Sequence, residues 1–142
     1  NGLPAFLVKN PGINSGFMIV QYSAASLVSE NKTIAHPASV DSIPSSANQE
    51  DHVSMGTIGA RKAREIIQNT LRVLAMELFT GLQAIDFRDK TKMSPNSKAI
   101  YDYIRKEVQF IEEDTIMYKE IHKMIDLIQT KEFDTLIQLE SE

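Results

Sequence analysis

The feature that most constrains the fold is an apolar repeat that continues from Ser54 to Ile85. Its apolar residues recur at spacings of three and four, the pattern of one face of an α-helix: Ala60, Ala63, Ile67, Leu71, Leu74, Leu78, Leu82 and Ile85. At 1.5 Å per residue this segment is a helix of roughly 45 Å, longer than the diameter of a small domain. Met76 and Phe79 interrupt its polar face, and we expect a partner to cover that face there.

Four further segments have helical periodicity, and none has the alternation of a β-strand. The first, from about Asn14 to Ser29, carries no charge, which is typical of a helix surrounded by other protein. The other three cover about 96–112, 115–129 and 132–139. The sequence therefore predicts a single all-α region over 1–142, with a buried helix within 1–30, a loop at 31–53, a long helix at 54–87 and short helices within 94–142.

Composition excludes several classes of protein. The 142 residues contain 15 Lys and Arg against 19 Asp and Glu, so the net charge of -4 argues against nucleic acid or an anionic membrane as the main partner. The chain has no cysteine, which excludes a disulfide scaffold, a thiolate zinc site and a cysteine nucleophile. This composition fits a reducing compartment, and we expect a cytoplasmic protein. The start at Asn1, without an initiator Met or a signal sequence, suggests a piece of a longer chain.

Chemically useful side chains concentrate in the loop 31–53. Carboxylates and imidazoles suited to zinc, iron or manganese lie in it or beside it: Glu30, His36, Asp41, Glu50, Asp51 and His52. Their spacing matches no helical ligand pair, so we expect no metal site and interpret them as helix caps and loop hydrogen-bonding groups. The sequence also lacks a nucleophile elbow and a phosphate-binding glycine loop. Two alternatives stay open on these residues alone, a metal-dependent enzyme using His36, His52 and Glu50, and a helical assembly module without catalysis.

A specific resemblance extends this interpretation. Residues 29–44 read SENKTIAHPASVDSIP and residues 46–56 read SANQEDHVSMG, followed by ARK at 60–62. The segments GLPAFL at 2–7 and NSGFM at 14–18 belong to the same pattern. Together they resemble the histidine ammonia-lyases, a branch of the aromatic amino acid ammonia-lyase family, over about residues 2–63. The helices beyond that point fit the family only in their periodicity.

The resemblance implies a fold, a reaction and an assembly. Members of this family have a central bundle of long helices related to the aspartase and fumarase fold, and they form homotetramers whose active sites combine several subunits. They eliminate ammonia from L-histidine to give urocanate, using a methylidene-imidazolone group that forms from a contiguous Ala-Ser-Gly. That tripeptide is absent here, since Ala38-Ser39 is followed by Val40. The chain therefore resembles the C-terminal portion of such an enzyme, and we expect it to be inactive alone.

The resemblance also implies roles for individual residues. Glu50 corresponds to the catalytic carboxylate that faces the imidazole of the substrate, and Met18, Asn48 and Gln49 correspond to the substrate-binding surroundings. Relatives that act on phenylalanine carry Gln at position 50, Lys at position 18 and Glu at position 46. The combination of Met18, Ser46 and Glu50 therefore places the chain with the histidine branch.

Overall fold

The computed structural model describes residues 2–40 and 42–138. These residues form five α-helices, α1 (Met18–Ile34), α2 (Gly56–Asp86), α3 (Pro95–Arg105), α4 (Tyr118–Leu127) and α5 (Lys131–Gln138), with short 3-10 turns at Ala5–Leu7 and Lys90–Lys92. Within the described ranges there is no β-strand, only two isolated bridges. The predicted all-α class is confirmed. No helix in these ranges has both the length and the apolar character needed to cross a bilayer.

Helices α1 and α2 form an antiparallel pair at the centre of the fold. Phe17, at the beginning of α1, packs on Phe79 near the end of α2 with ring centroids 4.9 Å apart. Near the other end of α1, the Asn69 amide of α2 donates to Glu30 Oε2 at 2.9 Å. Residues of α3, α4, α5 and the segment between α3 and α4 complete the buried core: Tyr101, Ile104, Val108, Ile111, Met124 and Phe133.

Helix α1 lies four to five residues later than the predicted span of 14–29. It begins at Met18 because the preceding Gly16 has a left-handed φ of 50°, which ends any helical path from Asn14. It continues to Ile34, and Pro37 disfavours helical backbone just beyond that point. The candidate loop therefore covers 35–55 rather than 31–53.

Helix α3 is shorter than the predicted span of 96–112. It ends at Arg105, whose guanidinium donates to the Val108 carbonyl at 3.0 Å. The next residues leave the helix because the side chain of Gln83 in α2 forms hydrogen bonds with both the amide and the carbonyl of Ile111. The apolar spacing of Val108 and Ile111 suits a helix, but their burial is achieved by a non-helical segment. The later helices differ from 115–129 and 132–139 by a few residues at each end, and residue 139 lies outside the described ranges.

The burial of α2 corrects one expectation and qualifies another. Met76 is 8% exposed and Phe79 is fully buried, and both belong to the core that this chain forms by itself. The expectation that a partner covers them is therefore wrong. By contrast, Ile67 and Leu74, from the periodic stripe, are 67% and 52% exposed. In α1, only Val20 is buried, so this chain does not bury the uncharged helix, and its covering by other protein remains a prediction.

Gln83 joins three parts of the chain from a fully buried position on α2. Its side-chain nitrogen donates to the carbonyls of Leu7 at 2.9 Å and Ile111 at 2.6 Å, and its oxygen accepts from the Ile111 amide at 3.1 Å. These bonds satisfy backbone groups that no regular element pairs, which buried polar groups require. Gln83 therefore fixes both the N-terminal turn and the segment after α3 against α2.

Asp86 joins the end of α2 to α3 through a cluster of hydrogen bonds. Its carboxylate accepts from Lys90 at 2.7 Å, from the Tyr101 hydroxyl and from Arg105. Burial by itself raises the pKa of Asp86, but the hydrogen bonds from Lys90 and Tyr101 and the charge of Arg105 outweigh it, so the pKa lies below its ordinary value. The ionised carboxylate therefore contributes to the stability of this corner.

Candidate active-site loop

The candidate loop connects the end of α1 to the beginning of α2 and is anchored near both ends. The Ala35 amide donates to the Asn31 carbonyl at 2.9 Å, which finishes α1. Lys62 of α2 donates to the His36 carbonyl. Towards the other end, the Val53 amide donates to Ser42 Oγ at 2.8 Å. The first two bonds tie the loop to α1 and α2, and the third joins two parts of the loop to each other.

A tight turn at residues 45–50 presents Glu50. The amide and carbonyl of Ser45 pair with the carbonyl and amide of Glu50 at 2.9 and 3.3 Å. Between them, Ser46, Ala47 and Asn48 all have left-handed φ, at 51°, 55° and 66°. This conformation costs roughly 1–2 kcal/mol for each residue with a side chain, although Asn tolerates it better than Ala. Strain of this kind is concentrated at functional sites in proteins.

The side chains of Asn48, Gln49 and Glu50 all lie on the exposed side of this turn. Glu50 Oε2 accepts from Ser45 Oγ at 3.3 Å. An ionised carboxylate has about four acceptor positions, so the contact with Ser45 leaves capacity for a donor from a ligand. The turn can therefore offer a negatively charged acceptor together with two amide side chains.

Met18 lies apart from the other three predicted site residues. It is the first residue of α1, whereas the loop begins after the last, and 17 residues of helix span about 24 Å. The Met18 side chain is half-buried. The structure thus groups Asn48, Gln49 and Glu50 in one turn and leaves Met18 at the opposite end of α1.

A cavity of about 580 Å³ opens between the loop and the beginning of α2. Polar lining groups come from the loop, including His52, Ser39 and Ser42, and Gly56 and Gly59 of α2 form the opposite wall. Neither Glu50 nor Met18 lines it. His36 lines a separate cavity of about 220 Å³, together with Lys62. The two loop histidines therefore face different spaces.

The metal hypothesis gains no support from this arrangement. In 2–40 and 42–138, no three His, Asp or Glu side chains are grouped closely enough to hold an ion. Glu30 instead accepts a hydrogen bond from Asn69, which is 1% exposed and also accepts from Arg72. Asp41, another of the proposed ligands, lies outside the described residues.

One residue that contacts the turn before α1 was not indicated by the sequence. Asp114, between α3 and α4, accepts from the Ser15 amide at 2.9 Å and from the Gly16 amide at 2.8 Å. The Asp114 amide in turn donates to Asn14 Oδ1 at 3.0 Å. The two accepted hydrogen bonds lower the pKa of Asp114 below its ordinary value. This set of three bonds, the Asp114 clasp, holds the turn that leads directly into Met18.

Comparison with known proteins defines the class to which this fold and loop belong. The profile of the aromatic amino acid lyases matches residues 1–106, and the chain belongs to this family. Among curated relatives, histidine ammonia-lyase 1 of Fusobacterium nucleatum is 62% identical over 131 residues, which are 92% of this chain and 25% of the relative. The histidine ammonia-lyase of Clostridium tetani is 64% identical over 132 residues, 90% of this chain and 26% of the relative. The chain spans about a quarter of the length of these relatives.

Solved structures give the same result for the fold. The histidine ammonia-lyase from Trypanosoma cruzi superimposes with a TM-score of 0.89 at 43% identity, over 96% of this chain and 27% of that one. Tyrosine aminomutase from Streptomyces globisporus superimposes with a TM-score of 0.88 at 40% identity, over 98% of this chain and 27% of that one. The predicted ammonia-lyase fold and the predicted family are confirmed.

Proposed function

We propose that this chain is the C-terminal part of a histidine ammonia-lyase, a carbon–nitrogen lyase that eliminates ammonia from L-histidine to give urocanate. The observation that carries the proposal is the similarity to curated histidine ammonia-lyases, at up to 64% identity. The chain also has glutamate at position 50, to which the resemblance assigns recognition of the imidazole. Family members that act on phenylalanine differ at this position. The strained turn that presents Glu50 supports the same assignment.

Glu50 suits recognition of an imidazole. A carboxylate can only accept hydrogen bonds, and an imidazole offers N–H donors. A charge-assisted bond of this kind contributes roughly 1.5–3 kcal/mol. A phenyl side chain would offer the carboxylate no donor, which penalises phenylalanine as a substrate. In this proposal Asn48 and Gln49 shape the same turn. Met18, at the opposite end of α1 within this chain, supplies an apolar wall of the pocket that the assembled tetramer completes.

The chain contributes substrate recognition, whereas the electrophile comes from elsewhere in the protein. The methylidene-imidazolone group supplies the electrophilic carbon for ammonia elimination in this family. No residue of this chain forms it, because the sequence contains no Ala-Ser-Gly. We therefore expect the 142-residue chain to release no urocanate by itself.

Assembly into a homotetramer is part of the proposal, and exposed apolar side chains on both central helices support it. Ile19 and Tyr22 on α1 are 55% and 69% exposed, and Ile67 and Leu74 on α2 are similarly exposed. Apolar surface on two adjoining helices is typical of a protein interface. Sedimentation of the full-length protein should show four copies, and a monomer would contradict this part of the proposal. The cytoplasmic location expected from the sequence remains a prediction.

The experiment that tests the function replaces Glu50 by Gln in the full-length enzyme and follows urocanate formation. The replacement keeps the size of the side chain but removes its charge, so kcat/KM for L-histidine should fall about 10- to 100-fold. Asp51→Asn is the matched control, because it removes the neighbouring charge and should leave kcat/KM unchanged. Normal kinetics in Glu50→Gln would remove Glu50 from the mechanism. A wild-type enzyme that forms no urocanate would refute the function and favour the assembly module.

A further inference from the structure

We infer that Asp114 is a positioning residue, which fixes the beginning of α1 and thereby the place of Met18 in the substrate pocket. The inference rests on the proposed function, since it concerns the pocket wall that Met18 supplies. It adds a residue from outside the loop, close to α4, to those that determine how the substrate side chain is held.

Helix α1 has no side-chain cap at its beginning. Phe17 occupies the N-cap position without a side-chain hydrogen bond, and the first turn contains no acidic residue. A helix begins with unpaired amide groups and a partial positive charge, both of which favour a nearby carboxylate. The carboxylate of Asp114 lies at this end of the helix, where it accepts from the Ser15 and Gly16 amides of the turn that precedes the first helical residue.

The Asp114 clasp reaches Met18 through a single intervening residue. The Ser15 amide donates to Asp114, and the Ser15 carbonyl accepts from the Met18 amide at 3.2 Å. On the inner side, Gly16 is buried so closely that an added Cβ would lie 2.5 Å from the Phe6 carbonyl oxygen. The turn before Met18 is therefore held by packing on one side and by Asp114 on the other.

The exposed position of Asp114 separates this role from a contribution to the core. Asp114 lies at the surface, whereas the contacts that bury α1, such as the Phe17–Phe79 pair, do not include it. Loss of the carboxylate should therefore loosen the turn without unfolding the helix pair. Its effect should appear in substrate binding rather than in global stability.

The test uses the full-length enzyme and three variants, Asp114→Ala, Asp114→Asn and the matched control Glu113→Ala. Glu113 is the adjacent exposed acid, so its replacement changes the charge equally. Asp114→Ala should raise KM for L-histidine about fivefold while kcat changes less than about twofold. Asp114→Asn retains one acceptor oxygen and should restore part of this loss, and Glu113→Ala should behave as the wild type.

A double-mutant cycle then shows whether Asp114 acts through Met18. In a Met18→Ala background, Asp114→Ala should change KM by less than about 1.5-fold, because coupled residues are not additive. If the effects of Met18→Ala and Asp114→Ala on KM were fully additive, the inference would be overturned. A normal KM in Asp114→Ala itself would also overturn it.

Hydrogen exchange gives a readout that does not depend on the substrate. Asp114→Ala should speed exchange of the amides at 15–19 in the full-length protein, and Glu113→Ala should not. Unchanged exchange would overturn the inference even if the enzyme proved to act on another amino acid. Failure of wild-type enzyme to form urocanate, with faster exchange in Asp114→Ala, would instead refute only the proposed function.

Discussion

Replacement of Gln83 by Leu should destabilise the chain far more than an apolar substitution in the same core. Leu has nearly the same helix propensity and a similar volume, so α2 itself should tolerate it. The substitution removes every hydrogen bond that Gln83 makes to the backbone of Leu7 and Ile111. The change in the free energy of unfolding therefore measures the cost of leaving buried polar groups without partners.

The magnitude follows from which of those groups water can reach. Ile111 is 5% exposed, so its amide and its carbonyl both lose their partner in a dry environment. Leu7 is half-buried, and its carbonyl can find water instead. Two unsatisfied buried groups at roughly 1–3 kcal/mol each, partly offset by the apolar replacement, give an expected loss of about 3 kcal/mol.

Urea unfolding of the 142-residue chain, followed by circular dichroism, measures this loss. With a slope of about 2 kcal/mol per molar urea, the midpoint should fall by about 1.5 M. Met124→Leu is the control, because Met124 is fully buried and this volume-conserving change should cost less than about 1.5 kcal/mol. A Gln83→Leu variant no less stable than this control would show that the hydrogen bonds do not hold these segments together.

Two further predictions concern stability. Because the pKa of Asp86 is lowered from 3.8 in the folded chain, its contribution is complete above that value and is lost as the pH falls through the folded pKa. Asp86→Asn should therefore be less stable at neutral pH, and its urea midpoint should depend less on pH in the acid range than that of the wild type. Gly16→Ala should cost about 1–3 kcal/mol, because Ala resists the left-handed φ and its Cβ would meet Phe6. Gly81→Ala, in an open position on α2, should instead stabilise by about 0.5–1 kcal/mol in thermal unfolding, and equal effects of the two changes would contradict this account.

The order and type of the helices could be predicted from the sequence because each one carries apolar residues at helical spacing. Which face of α2 is buried could not, since the helix has two apolar faces. The stripe through Ile67 and Leu74 has the more regular spacing, yet of its members only Leu82 is buried, whereas the chain buries both Met76 and Phe79 on the other face. Periodicity reports that a face is apolar and does not report which neighbour covers it.

Two helix ends were less predictable because tertiary contacts override the local pattern near them. Glu30 and Asn31 lie among the polar residues after Ser29, where the uncharged stretch stops, but Asn69 of α2 binds their side chains and α1 continues beyond them. Ile111 follows helical spacing, but Gln83 pairs with its backbone in a different conformation. In each case a buried amide from α2 overrides the local pattern.

The residues of the candidate site also differ in whether the sequence could locate them. The loop with Glu50 could be located because its composition and its resemblance to a family are both local properties of the sequence. Asp114 could not be located, since it is the last of three consecutive acids and nothing local distinguishes it from Glu112 and Glu113. Its hydrogen-bond partners lie 98 and 99 residues earlier in the chain.

That separation has a consequence for synthesis on the ribosome. Translation proceeds at about 5–20 residues per second, so residues 15 and 16 are made about 5–20 seconds before the carboxylate that binds them. During this interval the turn before α1 lacks the contact with Asp114, which must later form across a long loop of chain. The beginning of α1 should therefore be among the last parts of the nascent chain to become ordered.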